Sequence, residues 1–410
     1  MQCGLLGETL KHSYSPQIHS YFASYPYDLY EKTPEELDAF LRSDTFTGLN
    51  VTIPYKKAVV SYCSELTPIA KQLGSVNTIV RKDDGTLLGH NTDYFGFSYL
   101  LKHSGLSVCG KKVLVLGSGG SSVTVCAVLR ESGAQVIVVS RSGEHNYKNL
   151  TMHADASVIV NTTPVGMFPN NGTSPVDLAL FPKLEGVLDI IYNPTKTKLL
   201  LDAEARKIVA VNGLRMLIAQ AKESAELFSD TYIPDALIEE VYHNLNAQIE
   251  NIVLIGMPGC GKSTVGKYLA DLLRKDFVDT DSAIEAQADM TIPEIFKTYG
   301  EAIFRDAETG VLRDYGMMSG LVIATGGGCV TKEENYNLLR QNSRVVWIQR
   351  DLTCLTTEGR PLSQSTNLSV MLAARFPLYQ RFSDYSVNNS GTPEETAKKI
   401  IMLLQGENVQ

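Results

Sequence analysis

The sequence has a single tryptophan, and its seven cysteines are scattered, odd in number and without a Cys-x-x-Cys pair. This excludes a disulfide framework and a thiolate zinc site, and it predicts a reducing, cytoplasmic setting. No apolar run approaches the roughly 20 residues of a membrane span. The start, Met1-Gln2-Cys3-Gly4-Leu5-Leu6-Gly7-Glu8, lacks a basic stretch and carries an early acid, so it does not read as a secretory signal. Positive charge is also scarce. Against 45 Asp and Glu there are 37 Lys and Arg, a net charge of −8. That gives no electrostatic footprint for nucleic acid, and anionic ligands must be drawn by local basic groups. Nothing in the pattern specifies an oligomeric state. Two or three domains are expected from 410 residues.

What is present is organised around Gly256-Met257-Pro258-Gly259-Cys260-Gly261-Lys262-Ser263. Two glycines four residues apart, followed by Lys and Ser, fit the P-loop pattern. The apolar stretch 251–255 predicts a strand before it, and 264–273 predicts a helix after it. The glycines let backbone N–H groups turn towards phosphate, and the helix N-terminus adds partial positive charge. Gly259, Cys260, Gly261 and Thr264 would line the nucleotide. Lys262 would reach the β- and γ-phosphates of ATP, and the Ser263 hydroxyl would ligate magnesium.

The first half opens with a short strand at 3–6 and His12-Ser13-Tyr14-Ser15-Pro16. Ser13 and Ser15 would share one side of an extended segment, with Ser15 as a helix N-cap and Pro16 at the first helical position. Asn50 and Thr52 are two apart on a predicted strand and share a face, Pro54 ends it, and Lys56 follows at a turn. An Asn-Thr theme recurs in Gly74-Ser75-Val76-Asn77-Thr78 and Gly89-His90-Asn91-Thr92-Asp93. It suits a polyhydroxylated substrate and suits turn chemistry equally well.

Residues 112–116 predict a buried parallel strand running into Gly117-Ser118-Gly119-Gly120-Ser121-Ser122, then a helix and a second strand at 135–139. This is a Rossmann-type turn with Ser122 at the third glycine position. Where a NAD enzyme places an acid, this chain has Ser140-Arg141-Ser142. Arg141 would pair with a 2′-phosphate, which favours NADP.

Residues 1 to about 245 resemble shikimate dehydrogenase. The motifs are Ser13-x-Ser15-Pro16, Asn50-Val51-Thr52-x-Pro54-x-Lys56, Asn77-Thr78, Asn91-Thr92-Asp93, Gly117-x-Gly119-Gly120, Asn161-Thr162-Thr163-Pro164-x-Gly166-Met167 and Gly213-Leu214-x-Met216-Leu217-x-x-Gln220. The resemblance implies NADPH-dependent reduction of 3-dehydroshikimate. Ser13 and Ser15 would hold the substrate carboxylate with Tyr192. Asn50, Thr52, Asn77 and Gln220 would hold its hydroxyls, and Lys56 and Asp93 would form the catalytic pair. Asn161 and Gly213 would join the turn Gly117–Ser121 around NADP, and Arg215 would stand near the nicotinamide.

The second half alternates predicted strands and helices. An expected strand ends in Asp279 and Asp281 on one face, and Gly300-Glu301-x-x-Phe304-Arg305, Thr325-Gly326-Gly327-Gly328, Gly359-Arg360-Pro361-Leu362 and Arg375-Phe376-Pro377-Leu378-Tyr379 follow. These residues resemble shikimate kinase. The resemblance assigns Lys262 to the phosphates, Ser263 and Asp279 to magnesium, and Asp281 to the accepting hydroxyl. Arg305 and Arg375 would hold the shikimate carboxylate, the Gly327 backbone would meet the ring, and Arg360 would reach the transferring phosphate from a lid. No clear adenine-stacking arginine is found in 351–374.

The expected architecture is α/β throughout. A substrate lobe is expected at 1–100 plus about 215–248, a Rossmann-type NADP lobe at 101–214, and a P-loop kinase domain with a helix-flanked parallel sheet at 249–410. The expected function is a bifunctional enzyme that makes shikimate and then phosphorylates it, using NADP(H), ATP and Mg2+. Its partners would be small molecules, with no nucleic acid and no membrane. An NAD-using quinate/shikimate dehydrogenase in the first half, or one half kept as a binding or regulatory module, are the alternatives.

Overall fold

The first 90 residues build a mixed sheet from β1 (Cys3–Gly7), β2 (Tyr27–Glu31), β3 (Gly48–Val51), β4 (Glu65–Leu66), β5 (Thr78–Arg81) and β6 (Leu87–His90), in the order β2-β1-β3-β5-β6-β4. In this computed structural model, residues 1–10, 13–355 and 367–406 are described. β1 pairs in parallel with β2 and β3, whereas β5 runs antiparallel to β3 and β6. The register sets Thr78 opposite both Asn50 and His90. The two Asn-Thr motifs therefore meet at one end of the sheet. Leu6, Leu41, Phe46, Leu49 and Ile79 form the buried core beneath them.

Continuous apolar runs give the second sheet: β7 (Lys112–Leu116), β8 (Gln135–Val139), β9 (Val158–Asn161), β10 (Gly186–Asp189) and β11 (Val209–Val211). All pairings are parallel, in the order β11-β10-β9-β7-β8. The winding direction reverses between β7 and β9, and the crevice beyond their carboxyl ends is where such sheets bind ligands. Helices Asp93–His103 and Leu214–Ser229 pack against each other beside the two sheets.

The third sheet comprises β12 (Asn251–Ile255), β13 (Asp276–Asp279), β14 (Leu321–Ala324), β15 (Ser343–Gln349) and β16 (Tyr385–Asn388), all parallel, in the order β13-β14-β12-β15-β16. Contacts divide the chain into two compact units. The first is Met1–Met167, Thr173–Tyr192 and Leu199–Leu245; the second is Phe168–Gly172, Asn193–Lys198 and Asn246–Gln410. No helix among the described residues is long and apolar enough to cross a membrane.

Two local expectations are corrected. Ser15 is not an N-cap: the helix is Ser15–Phe22, and Tyr14 caps it in a helical conformation. The Ser13 hydroxyl takes the Ser15 N–H at 3.2 Å, so a turn replaces the extended segment. Nor is Asp281 on a strand. β13 stops at Asp279, whose carboxylate accepts the N–H groups of Asp281 and Ser282 and starts helix Thr280–Ala288. An aspartate able to cap a helix ended the strand two residues early.

Candidate active sites

In the first unit, Lys56 follows the turn after β3, and its carbonyl is anchored by the Val76 N–H at 2.8 Å. Its Nζ lies 2.6 Å from Asp93 Oδ2, with both side chains largely buried. Asp93 is in the first turn of its helix, where the helix dipole favours a carboxylate. Asn77 Nδ2 donates to Asp93 Oδ1 at 3.0 Å and to Thr92 Oγ1 at 3.0 Å. Gln220 Oε1 lies 3.4 Å from both Asn77 Nδ2 and Thr92 Oγ1. Asn50 belongs to the same buried network through Thr78 and Ser224.

Ser13 and Ser15 hydroxyls are 3.1 Å apart. The Tyr192 ring packs 5.6 Å from that of Tyr14 between them. Burial pushes the Tyr192 phenol up to about 12, which keeps it a neutral donor beside the serines. Thr52 is half-buried at the end of β3, and its backbone N–H bonds Leu6 O at 2.9 Å.

At the switch point, Gly117 has φ +107°, and a Cβ there would lie 2.8 Å from Thr162 Oγ1. Gly119 caps helix Gly120–Glu131 and faces open space, while Ser118 is exposed and Ser121 half-buried. Ser122 Oγ donates to Gly117 O at 2.7 Å, so the serine in the third position ties the turn together. A Cβ on Gly120 would sit 3.6 Å from that of Lys56, which sets the turn beside the Lys56–Asp93 pair. Bare glycines ahead of free helix N–H groups fit a pyrophosphate. Arg141 is exposed just past β8, close enough to Tyr147 to influence its phenol.

Asn161 is fully buried; it donates to Asp189 Oδ1 at 3.0 Å and accepts from Thr163 N and Oγ1. Its side chain shapes the turn. Gly213 caps helix Leu214–Ser229, and any side chain there would overlap the Ile190 carbonyl. Arg215 is turned towards helix Ala236–Ile249. Its Nε is 3.0 Å from Glu239 Oε1, and its guanidinium lies 3.9 Å from the Tyr242 ring centre. Those two partners hold it by charge and by stacking.

In the second unit, Gly259 and Gly261 have φ +80° and +98°, and helix Lys262–Leu273 follows. Lys262 is buried, with Nζ 3.0 Å from the carbonyls of Gly256 and Met257. Cys260 is buried; its N–H donates to Met257 O at 3.2 Å, and its carbonyl accepts Asn389 Nδ2 at 2.8 Å. Thr264 is exposed in the first helical turn. Ser263 Oγ donates to Asp279 Oδ2 at 2.5 Å. Among the described residues there is no cluster of three or more metal-ligating side chains. Two converging protein oxygens fit a magnesium ion completed by phosphate oxygens and water.

Arg305 is buried between Glu308 Oε2 at 2.7 Å and Glu301 Oε1 at 3.2 Å. Burial raises the Glu308 carboxyl, with Arg305 opposing that shift. Arg375 Nη1 and Tyr379 Oη both donate to Gly327 O, at 3.1 and 2.5 Å. Trp347 stacks on Tyr379 at 5.6 Å. Side chains on the glycine triplet would collide with their neighbours. A Cβ on Gly326 would come 2.8 Å from Asp281 Oδ1, one on Gly327 2.6 Å from Pro258, and one on Gly328 would overlap the Arg305 guanidinium. Asp281, Arg305 and Arg375 thus converge on one wall. Arg360 lies outside the described residues.

Residues 258–405 match the family model of shikimate kinase, and residues 5–79 that of the shikimate dehydrogenase substrate binding domain. A shikimate dehydrogenase (NADP(+)) of Caldicellulosiruptor bescii is 36% identical over 268 residues, covering 57% of this chain and 92% of that protein. The chain belongs to the shikimate dehydrogenase family. It also carries a shikimate kinase domain, so two enzymes of one pathway are fused. The shikimate dehydrogenase (NADP(+)) of Clostridium perfringens (strain 13 / Type A) is 34% identical over 267 residues, 60% of this chain and 98% of that one. Among solved structures, shikimate dehydrogenase 1 from Peptoclostridium difficile superposes with a TM-score of 0.57 at 34% identity, covering 60% of this chain and 98% of that chain. A chorismate mutase/shikimate 5-dehydrogenase fusion protein from Clostridium acetobutylicum gives 0.56 at 35% identity, covering 59% and 96%.

Several groups in these sites had no role of their own in the sequence reading, although Thr78, Thr92, Glu301 and Tyr379 stand inside its motifs. In the dehydrogenase half they are Tyr27, Thr78, Thr92 and Ser224, which support Asn50 and Asn77 from behind. In the kinase half they are Glu301, Glu308 and Tyr379. Helical spacing was the available signal: Glu308 is three residues after Arg305, Glu301 four before it, and Ser224 four after Gln220. Arg350 was missed as well. It is exposed just past β15, with Nη1 3.7 Å from where a Gly261 Cβ would be.

Proposed function

We propose that the chain reduces 3-dehydroshikimate to shikimate in its first half and phosphorylates shikimate to shikimate 3-phosphate in its second. The observation that carries the first step is the buried Lys56–Asp93 contact beside the Gly117–Gly120 turn. NADPH supplies the hydride when bound. Negative charge then builds on the substrate oxygen, which the Lys56 ammonium stabilises and protonates while Asp93 orients it. Ser13, Ser15 and Tyr192 hold the carboxylate. Asn50, Thr52, Asn77 and Gln220 hold the hydroxyls. Arg141 takes the 2′-phosphate, which supports NADP over NAD. The Gly117–Ser121 turn, with Asn161 and Gly213 shaping its surroundings, seats the pyrophosphate.

The second step is positioning and charge neutralisation. Gly259, Cys260, Gly261, Lys262 and Thr264 cradle the ATP phosphates. Ser263 and Asp279 hold Mg2+, which neutralises phosphate charge when bound. Asp281 orients the accepting hydroxyl, and Arg305 and Arg375 hold the carboxylate beside Gly327. Arg360 completes the phosphate contacts. The domain limits follow as a substrate lobe at 1–100 plus about 215–248, an NADP lobe at 101–214 and a kinase domain at 249–410. Seven free cysteines support a cytoplasmic setting.

The test mixes pure protein with 3-dehydroshikimate, NADPH, ATP and magnesium. Shikimate 3-phosphate should form, and omitting ATP should stop the sequence at shikimate. Failure to oxidise NADPH would overturn the first assignment, and failure to consume ATP with shikimate the second.

A further inference from the structure

Behind the dehydrogenase substrate residues lies a knot of hydroxyls that no proposed contact uses. Ser224 is fully buried on helix Leu214–Ser229, and its Oγ is 3.0 Å from both Thr78 Oγ1 and Thr92 Oγ1. A serine hydroxyl has one hydrogen, and here it reaches Gln220 O at 2.9 Å, one helical turn back. With that hydrogen spent, Ser224 Oγ faces Asn50 as an acceptor. Asn50 Nδ2 donates to it at 2.8 Å and to Thr78 Oγ1 at 3.1 Å. On the other side, Tyr27 Oη donates to Asn50 Oδ1 at 2.7 Å. Burial holds the Tyr27 phenol far above its ordinary value, so it remains a donor. Stacking on His19, with ring centres 4.1 Å apart, fixes its ring.

An amide has two N–H donors and one carbonyl oxygen, and swapping them changes what it offers a ligand. Both Asn50 N–H groups are consumed by Ser224 and Thr78, and one lone pair of its oxygen by Tyr27. We propose that Ser224 is a positioning residue of the dehydrogenase: with Tyr27 it fixes the sense of the Asn50 amide, so that Asn50 meets a substrate hydroxyl only as an acceptor. The site then selects a ring hydroxyl that donates, and it disfavours a carbonyl at that ring position. This rests on Asn50 being a substrate contact, as in the functional reading above.

The experiment is a double-mutant cycle on the full chain, with Ser224→Ala, Asn50→Ala and both together. Ser224→Ala should lower kcat/KM for 3-dehydroshikimate about tenfold, mainly through KM, the size of one lost well-oriented hydrogen bond. The KM for NADPH and the phosphorylation of shikimate should not change. In the Asn50→Ala background Ser224→Ala should add no further loss. Tyr27→Phe, which keeps the stacked ring, should repeat the KM effect and the non-additivity, and it serves if Ser224→Ala fails to fold. An equal loss in both backgrounds, or an equal rise in the NADPH KM, would overturn the proposal. A wild-type enzyme that does not reduce 3-dehydroshikimate would instead sink the functional reading beneath it.

Discussion

Lys56 Nζ lies 2.6 Å from Asp93 Oδ2, and the other Asp93 oxygen accepts from Asn77 Nδ2 at 3.0 Å. The carboxylate is thus held at both oxygens and can only point the ammonium one way. Lys56→Ala should cut NADPH-dependent reduction by roughly 10²–10⁴-fold, the usual worth of a positioned proton donor, and leave phosphorylation intact. Stopped assays of each half-reaction on one preparation check this. Loss of both activities in a folded protein would contradict separate sites.

Lys262→Met should do the reverse. The Lys262 ammonium sits over the Gly256 and Met257 carbonyls, at the centre of the loop that would cradle phosphate. Without it, shikimate-dependent ADP release should fall at least about 100-fold, in the range seen when a charge-stabilising group is removed. Reduction of 3-dehydroshikimate should continue unchanged.

Arg141, exposed just past β8, is the residue proposed to take the 2′-phosphate. Arg141→Ala removes a charge-assisted contact of about 1.5–3 kcal/mol, which predicts an NADPH KM higher by roughly ten- to hundredfold. The NADH KM should hardly move, because that cofactor lacks the 2′-phosphate. Parallel titrations with the two cofactors measure the change, and equal shifts for both would remove Arg141 from the site.

Gly328→Ala is a test of crowding. Its added Cβ would overlap the Arg305 guanidinium, which Glu301 and Glu308 hold from the other side. The arginine must leave its position, so the shikimate KM of the kinase should rise while the ATP KM stays near wild type. A variant with unchanged shikimate KM would show that Arg305 does not hold the substrate.

Glu223 gives a pH dependence. Burial, reinforced by Glu226 and by the more weakly felt Asp235, pushes its carboxyl up to about 8 from an ordinary 4.5, against the pull of Lys222. The folded protein then binds this proton more tightly than the unfolded chain does. Stability should therefore fall as pH rises from about 4.5 to about 8. Glu223→Gln should flatten that decline, read as far-UV circular dichroism melting points at pH 5, 6.5 and 8. Parallel curves for the two proteins would show that Glu223 ionises normally.

Much of this was legible in the sequence because its chemistry is local. Gly256–Ser263 and Gly117–Ser122 stand out as glycine turns between a strand and a helix, and the apolar runs at 112–116 and 251–255 became β7 and β12 with the same limits. What stayed hidden depended on distant pairing. Thr78 and Thr92 come together only because β5 and β6 run antiparallel, and Ser224 reaches them from a helix 146 residues beyond Thr78. Ser15 and Asp281 were misread because a neighbouring side chain, Ser13 or Asp279, captured the backbone N–H that decides where a helix begins. The partners of Arg215, Glu239 and Tyr242, lie on the next helix, beyond the reach of motif spacing.

Trp347 is the sole indole in the chain, and it stacks on the tyrosine whose hydroxyl holds Gly327. Nature has therefore tagged one catalyst and left its fused companion dark. If shikimate is held beside Gly327 as proposed, emission excited at the red edge should respond when shikimate is added and stay silent when the oxidised dinucleotide is added, so that one cuvette can watch half of a bifunctional machine at work.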